Sequence, residues 1–563
     1  GDSGKILTLT DAWGSELTGE REGRLEPRAG CDLYTSIDMN IQSYAQQLAE
    51  KTLVKKGAKR VSIIVMNPQN GELYAMVNAP EYNLNDPYTL NYDDDGTEGS
   101  KMDKLNNMWR NFCINDTYEP GSIFKMVTAT AALETGVVSL SDSYTCGGST
   151  IVADRKIRCH KTTGHGTQTF TQTVMNSCNP AFIEWGRRVG VDNFYTYFNK
   201  LGFTSKTGID IAGEAGAIIH KKENVGEVEL ATMSFGQSFQ ITPMQMLRAA
   251  AAIVNGGSLV TPHFAVKTCS SDGTTYSEFA YEASKDAISS TTSDTMRDIL
   301  RQVVEEGGGK NAYIEGFSIG GKTATSQKLP RGSGKYISSF IGFSDTDNPS
   351  VIAMCLIDEP QGVYYGGTIA APVIKELYEN ILPYIHLPVQ SGSNRILKLM
   401  GRKYTKESYL DLVKKLKENI PNICLTTDII VGFPNETDED FKETLDIVNE
   451  CKYDLAYTFI YSPRVGTPAS NMKDDVPLKV KEERLQILND LVNKYSKESN
   501  EKLLNKTLSV LIDGKSDKEG ILSGYSRENK LVNVKADLNY IGKIVNVKIT
   551  DAKTWSLDGV LDE

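Results

Sequence analysis

Three short stretches hold residue types that chemistry needs, in an order that suits one reaction. They are Ser122-Ile-Phe-Lys125, Ser177-Cys-Asn179 and Lys322-Thr-Ala-Thr325. A serine hydroxyl attacks a carbonyl well only when a base takes its proton, and a lysine three residues further along a helix projects beside it. Lys125 can be that base only as a neutral amine, which requires burial and a nearby positive charge. Lys322 can supply the charge, Ser177 can relay the proton to a leaving group, and Asn179 can hold a substrate amide. Lys322, Thr323, Ala324 and Thr325 read as a strand whose backbone pairs with an extended peptide. The N–H groups of Ser122 and Thr325 would then form an oxyanion hole. Each stretch alone is weak, since S-x-x-K and S-x-N arise by chance. Gly320-Gly-Lys-Thr also lacks the G-x-x-x-x-G-K-[ST] spacing of a phosphate loop. Together they specify serine acyl transfer.

The elements that must position these residues are legible in the periodicity. Residues 37–55 have helical spacing, with Ile41, Tyr44, Ala45 and Leu48 on one face. Residues 60–66 and 72–77 read as a hairpin turning at Pro68-Gln-Asn-Gly71. Residues 85–118 are polar and read as a long loop. A helix follows the Pro120-Gly-Ser122 turn and stops before Gly136. Residues 171–200, the stretch after Thr242-Pro243, and residues 290–306 are helical. Strands at 317–327, 336–343 and 350–358 and a helix over 370–382 complete one antiparallel sheet flanked by helices. After residue 386 strands and helices alternate, which predicts an incomplete parallel βα half-barrel over 386–500. Short β segments from 501 predict a small β-barrel. The expected fold is therefore α/β and multidomain.

A chain of 563 residues is too long for one core. Its net charge of −11 argues against a polyanion-binding surface over the whole molecule. Charge is uneven: 34 basic and 44 acidic residues precede residue 386, against 27 and 28 in the much shorter remainder. That shift places a join of two unrelated pieces near 385. The chain starts at Gly1 without a signal-like segment and reads as a fragment or a processed product. The nine cysteines show no C-x-x-C and no metal-ligand spacing, so no metal site is expected. Cys146 and Cys159, flanking a hairpin-like stretch, are either a disulfide or two reduced thiols.

Residues 31–385 resemble the transpeptidase domain of class B penicillin-binding proteins of the division and sporulation kind, with 1–30 as the tail of a preceding pedestal domain. Besides the three motifs, the resemblance rests on Tyr34-Thr-Ser-Ile-Asp38, Glu119-Pro-Gly121, Pro180-Ala-Phe182, Ser234-Phe-Gly-Gln237, Thr242-Pro243 and Tyr365-Gly-Gly367. It implies the penicillin-binding fold shared with serine β-lactamases and D-Ala-D-Ala transpeptidation of peptidoglycan stem peptides through an acyl-enzyme on Ser122. It also implies covalent inhibition by β-lactams, a glycosyltransferase partner, and work on the extracytoplasmic face of the membrane without a cofactor. A hydrolase on this fold needs a deacylating glutamate after S-x-N, and no candidate stands there. Ala324 departs from the family, which has glycine at that place. Glycine lets a substrate backbone come close, and alanine narrows that approach unless its methyl points away.

Residues 386–563 resemble the later part of radical-SAM tRNA methylthiotransferases, with a TRAM domain over 501–563. The stretches are His386-Leu-Pro-Val-Gln-Ser-Gly-Ser-Asn394, Thr426-Thr-Asp-Ile-Ile-Val-Gly-Phe-Pro434 and Tyr461-Ser-Pro-Arg-Val-Gly-Thr-Pro-Ala469. The resemblance makes Gln390, Ser391 and Asp428 a vestigial S-adenosylmethionine pocket and the second part cytoplasmic. That chemistry needs an iron–sulfur cluster on a C-x-x-x-C-x-x-C loop, and only Cys424 and Cys451 follow residue 386. No cluster, no S-adenosylmethionine chemistry and only weak RNA binding are expected of it. The join at 384–387 reads as a recombination scar or an assembly error more than as a working fusion.

Overall fold

The structure, a computed structural model, describes all residues but 1–2, 8–22, 28, 93–98, 271–275, 316, 345, 382–383, 420–422, 464–468, 470–471, 517, 519, 527 and 563. Part of the supposed pedestal tail and part of the Tyr461–Ala469 stretch lie outside them; within the tail, Lys5–Leu7 and Gly23–Leu25 pair antiparallel. Two compact units are present. One holds residues 1–42, 53–311 and 320–371; the other holds 43–52, 312–319 and 372–563.

Asp38 starts helix α1 (Met39–Lys56) by accepting the N–H groups of Asn40 and Ile41, and Gly57 ends it in the left-handed conformation. In the first unit, strands β1 (Arg60–Met66) and β2 (Leu73–Ala79) form the expected hairpin. They share a five-stranded sheet with β3 (Ile319–Gln327), β4 (Tyr336–Ser344) and β5 (Val351–Asp358), in the order β3-β4-β5-β1-β2. The β4–β5, β5–β1 and β1–β2 pairs run antiparallel. Among the described residues, strand β3, which carries Lys322, has β4 as its one neighbour and so forms an edge. Edge strands keep backbone donors and acceptors free for a further strand.

The helices pack into one apolar core. They are α2 (Lys125–Glu134), α3 (Asn179–Lys200), α4 (Pro243–Val254) and α5 (Ser290–Glu305). Helix α4 is buried on every side, and a capping box between Thr242 and Gln245 satisfies its first N–H groups. Phe124, immediately before α2, meets Phe194, Phe198, Phe203 and Phe239 with ring centroids 4.8–6.0 Å apart.

Two expectations need correction. The supposed loop 85–118 contains helices Lys101–Met108 and Phe112–Asn115. A Ser100–Asp103 capping box starts the first, and burial of Phe112, Cys113 and Ile114 holds the second; packing outweighs the polar composition. The helix expected over 171–200 is broken between Phe170–Met175 and α3, because Ser177 adopts φ 50°, and α3 itself is kinked at Gly190, whose φ 75° and ψ 163° lie outside helical space.

In the second unit β6 (Tyr384–His386), β7 (Cys424–Val431) and β8 (Leu455–Ile460) form a three-stranded parallel sheet, open rather than closed. Helices α6 (Lys406–Asn419), α7 (Asp438–Cys451) and α8 (Leu478–Glu501) alternate with these strands or follow them. Residues of α6, α7 and α8 share a core with β7 that includes Val413, Leu425, Ile447 and Leu488. Residues 507–561 close a five-stranded barrel around Val510, Ile512, Val532 and Val547. The short helix Asn394–Leu399 was not expected; Ser393 caps it, its hydroxyl accepting the Ile396 N–H.

Phe124 is fully buried, so Phe124→Ala is expected to destabilise the first unit by about 3–5 kcal/mol. Denaturant titration of that unit's transition measures it; a loss below about 1 kcal/mol would show that the aromatic cluster does not hold the turn before α2.

Candidate active site

Ser122 lies in the 3₁₀ turn Gly121–Phe124 that leads into α2. Two glycines make this turn attainable. Gly121 has φ 59° and donates its N–H to the Gly236 carbonyl at 2.9 Å. Gly236 has φ 84°, and a Cβ there would stand 2.1 Å from the Gly121 oxygen.

One turn on, Lys125 is completely buried. Its Nζ lies 2.7 Å from the Ser177 carbonyl, 2.7 Å from Asn179 Oδ1 and 3.1 Å from Ser177 Oγ. The first two stretches, separated in sequence, thus meet at this amine. Burial lowers the Lys125 pKa well below its ordinary value, and the charge of Lys322 lowers it further, while Cys178 and Cys159 oppose the shift. Ser177 pays for its position with left-handed φ, uncommon for serine; the contact of Lys125 with its carbonyl helps to hold it there.

Lys322 is also fully buried, and desolvation brings its pKa to about 7. Its Nζ donates to the Thr323 carbonyl at 3.2 Å. Alternation along β3 turns Thr323 and Thr325 to the half-buried side and Lys322, Ala324 and Ser326 inward. Thr325 Oγ1 accepts the Gly366 N–H at 3.0 Å, which ties Tyr365-Gly-Gly367 to β3. Ala324 is 3% exposed, and a Cβ on Gly121 would lie 3.7 Å from its methyl. The methyl therefore lies on the buried side of β3, beside the Gly121–Phe124 turn.

A second constellation adjoins this site. Cys146, Cys159, His165 and Cys178 bring one ligand atom each to within 4.8 Å of one another. All four have the chemistry to hold a soft divalent metal. The sequence spacing gave no sign of this cluster, which the fold assembles. Spacing missed it because the ligands come from four segments: the strand Ser143–Cys146, the residue after strand Arg155–Arg158, the residue before strand Gly166–Thr169, and the N-cap of α3. The Cys146–Cys159 couple is not a disulfide, as both are free thiols. A hydrogen bond between the Cys159 and Cys178 thiols lowers the pKa of the first and raises that of the second.

In the second unit Gln390 and Asp428 are joined through the backbone, the Gln390 N–H donating to the Asp428 carbonyl at 2.8 Å. Ser391 is completely buried, and its hydroxyl accepts the Ser393 N–H at 3.2 Å. Cys424 and Cys451 are buried thiols, their pKa values raised by desolvation. Two cysteines cannot supply the three thiolates of a radical-SAM cluster, so these residues do not fit one. A cleft of about 560 Å³ is lined by Lys417, Lys452, Lys502, Lys506 and Lys530, offset by Asp454, Glu498 and Glu528.

Comparison with known proteins agrees with this division of chemistry. Residues 61–379, more than half of the chain, match the penicillin binding protein transpeptidase domain, and residues 501–561 match the TRAM domain. Stage V sporulation protein D of Bacillus subtilis is 37% identical over 404 residues, covering 71% of this chain and 60% of that protein. A tRNA-2-methylthio-N(6)-dimethylallyladenosine synthase of Bacillus cytotoxicus is 59% identical over 185 residues, covering 33% of this chain and 36% of the synthase. The apo form of penicillin-binding protein 3 from Mycobacterium tuberculosis superimposes with a TM-score of 0.56 at 25% identity, covering 66% of this chain and 86% of that one. The chain thus spans only part of the length of the relatives it matches. With its nucleophile turn, buried lysine pair and edge strand in place, it belongs to the penicillin-binding protein transpeptidase family.

Proposed function

We propose that the first unit is a serine D,D-transpeptidase acting on D-Ala-D-Ala stem peptides outside the cytoplasmic membrane, and that β-lactams acylate Ser122. The observation that carries this reading is the set of oxygens around Lys125. A neutral amine has two N–H donors and one lone pair. The Ser177 carbonyl and Asn179 Oδ1, each at 2.7 Å, satisfy the two donors. The lone pair is left to exchange a proton with a hydroxyl.

Lys125 takes the Ser122 proton as the oxygen attacks the carbonyl of the penultimate D-alanine. The N–H groups of Ser122 and Thr325 stabilise the oxyanion. The carbon–nitrogen bond breaks, the proton passes by way of Ser177 to the leaving D-alanine amine, and an ester remains on Ser122. The amine of a second stem peptide then attacks that ester and gives up its proton. The carbon–oxygen bond breaks and the Ser122 hydroxyl is restored. Lys322 keeps Lys125 neutral, and the edge of β3, with Thr323 and Thr325, aligns the extended substrate. A glycosyltransferase partner is the expected source of glycan strands for this cross-linking.

For residues 386–563 the 59% identical segment favours descent from a tRNA methylthiotransferase. We infer that this part is a remnant of a parallel half-barrel with no radical chemistry of its own, since the cysteine loop is not in this chain. Its lysine-lined cleft, offset by acidic groups, suits weak and salt-sensitive RNA binding.

Three outcomes are expected. Incubation with benzylpenicillin should add one drug mass to the intact chain and none to Ser122→Ala; an adduct that survives the substitution refutes the nucleophile assignment. Second, the lowered pKa of Lys322 makes its protonation a cost to folding. The cost is full below pH about 7 and fades as pH rises toward 10.5, the ordinary lysine value. Lys322→Met should therefore stabilise the first unit by up to roughly 4 kcal/mol near pH 6, by much less near pH 9, and abolish acylation. Denaturant titration at the two pH values reads the difference; an equal effect at both sinks the assignment. Third, anaerobic reconstitution with iron and sulfide, followed by reduction, should yield no 5′-deoxyadenosine from S-adenosylmethionine. Its formation would restore the radical-SAM reading.

A further inference from the structure

We infer that Glu119 and Arg331 are a positioning pair: their ion pair holds the Gly121–Phe124 turn against strand β3 and so sets the separation of the two halves of the oxyanion hole. The inference rests on the transpeptidase reading, in which one half is the Ser122 N–H on the turn and the other is the Thr325 N–H on β3. A hole built from two elements is only as well formed as the contact between them. Both residues act through the elements they join, not on the reacting atoms.

Only Pro120 and Gly121 separate Glu119 from Ser122. The Pro120 ring fixes φ, here −69°, so a carboxylate held in place also holds the start of the turn. One Glu119 oxygen accepts the Ser238 N–H at 2.9 Å, and the other accepts from the Arg331 guanidinium. The Glu119 side chain is 9% exposed, so its charge is almost removed from water and depends on those two partners. Arg331 comes from the loop between β3 and β4. Its second terminal nitrogen donates to the carbonyl of Gln327, the last residue of β3, at 2.5 Å. The guanidinium thus bridges the end of β3 and the residue that leads into the nucleophile turn.

The loop that carries Arg331 is stiff at its base. The Lys328 N–H donates to the Lys335 carbonyl at 2.9 Å. The Lys328 ammonium reaches Asp358 and Glu359, each at 2.7 Å, and Lys335 reaches Glu359 at 3.0 Å. Both legs of the loop are thereby fixed to the end of β5, and the loop presents Arg331 to Glu119 from a set position. The turn also abuts β3 directly. A Cβ on Gly121 would lie 2.2 Å from Ser326 Oγ and 3.7 Å from the Ala324 methyl. Gly121 has no side chain to secure this contact, and the buried Ser326 hydroxyl finds no hydrogen-bond partner among the described residues. The Glu119–Arg331 pair supplies the directional tie that the Gly121 contact lacks.

The test is stopped-flow acylation of the full chain by a fluorescent penicillin, which separates the dissociation constant of the first complex from the rate constant of acylation. Glu119→Gln keeps an oxygen for the Ser238 N–H and removes the charge. Arg331→Met keeps the side chain's length and removes the guanidinium from a partly exposed loop position. Each variant, checked for folding by circular dichroism, should slow the acylation step by about 10- to 100-fold, the scale of a misplacement near 1 Å, while the dissociation constant changes by less than about threefold. Because the two residues act as one unit, the double variant should be no slower than the slower single variant. Losses that multiply in the double variant, a loss confined to the dissociation constant, or rates within about twofold of the unaltered chain would overturn the pair's role. Ser122→Ala, which should take up no penicillin, tests the transpeptidase reading separately. An adduct there sinks that reading, whereas unchanged rates in folded Glu119→Gln and Arg331→Met chains sink the positioning pair alone.

Discussion

The interaction on which the first unit depends is the burial of one lysine amine among three oxygens. Lys125 can be buried because Ser177 and Asn179 offer a carbonyl, an amide oxygen and a hydroxyl within 3.1 Å. An unpartnered ammonium there would cost several kcal/mol, and a partnered neutral amine removes most of that penalty. The same burial lowers the amine's pKa and so favours its neutral form. Lys322, also buried, adds a second charge that moves Lys125 in the same direction. In the proposed mechanism, function and local instability thus share one origin: the two lysines act because the fold holds them where lysines are least comfortable.

Much of the surrounding structure serves to keep that arrangement from relaxing. The phenylalanine cluster around Phe124 anchors the start of α2. The Gly121–Gly236 contact allows two backbones to touch where any side chain would part them. The capping box at Thr242 lets α4 run wholly buried with its first amides satisfied. Ser177 in left-handed conformation separates Phe170–Met175 from α3, and at this break Ser177 and Asn179 meet Lys125. Strain at this one residue is therefore part of the site's construction.

The second unit has cores of its own and follows a different logic. Its three parallel strands and alternating helices bury a βα-type core, and its barrel closes on itself without free edges. Its polar residues are largely spent on structure: Ser391 accepts from the backbone, and Asp440 takes the Ser393 hydroxyl and the Arg395 guanidinium. The segment packs coherently although only two cysteines, Cys424 and Cys451, follow residue 386.

The sequence by itself determined the motifs Ser122/Lys125, Ser177/Asn179 and Lys322, the hairpin at Asn70-Gly71, the helix after Thr242-Pro243 and the change of rhythm near 386. These depend on local periodicity, turn chemistry and short spacings, all of which are one-dimensional. Tertiary structure alone decided that loop 85–118 folds into short helices, because burial of Phe112 and Ile114 outweighs local polarity. It alone decided where the Ala324 methyl points, because facing on a strand is settled by what packs on each side. It alone gathered Cys146, Cys159, His165 and Cys178, since ligands drawn from four segments have no spacing to read. A distance in space between residues far apart in the chain is set by the packing of every element between them, and no local pattern encodes it.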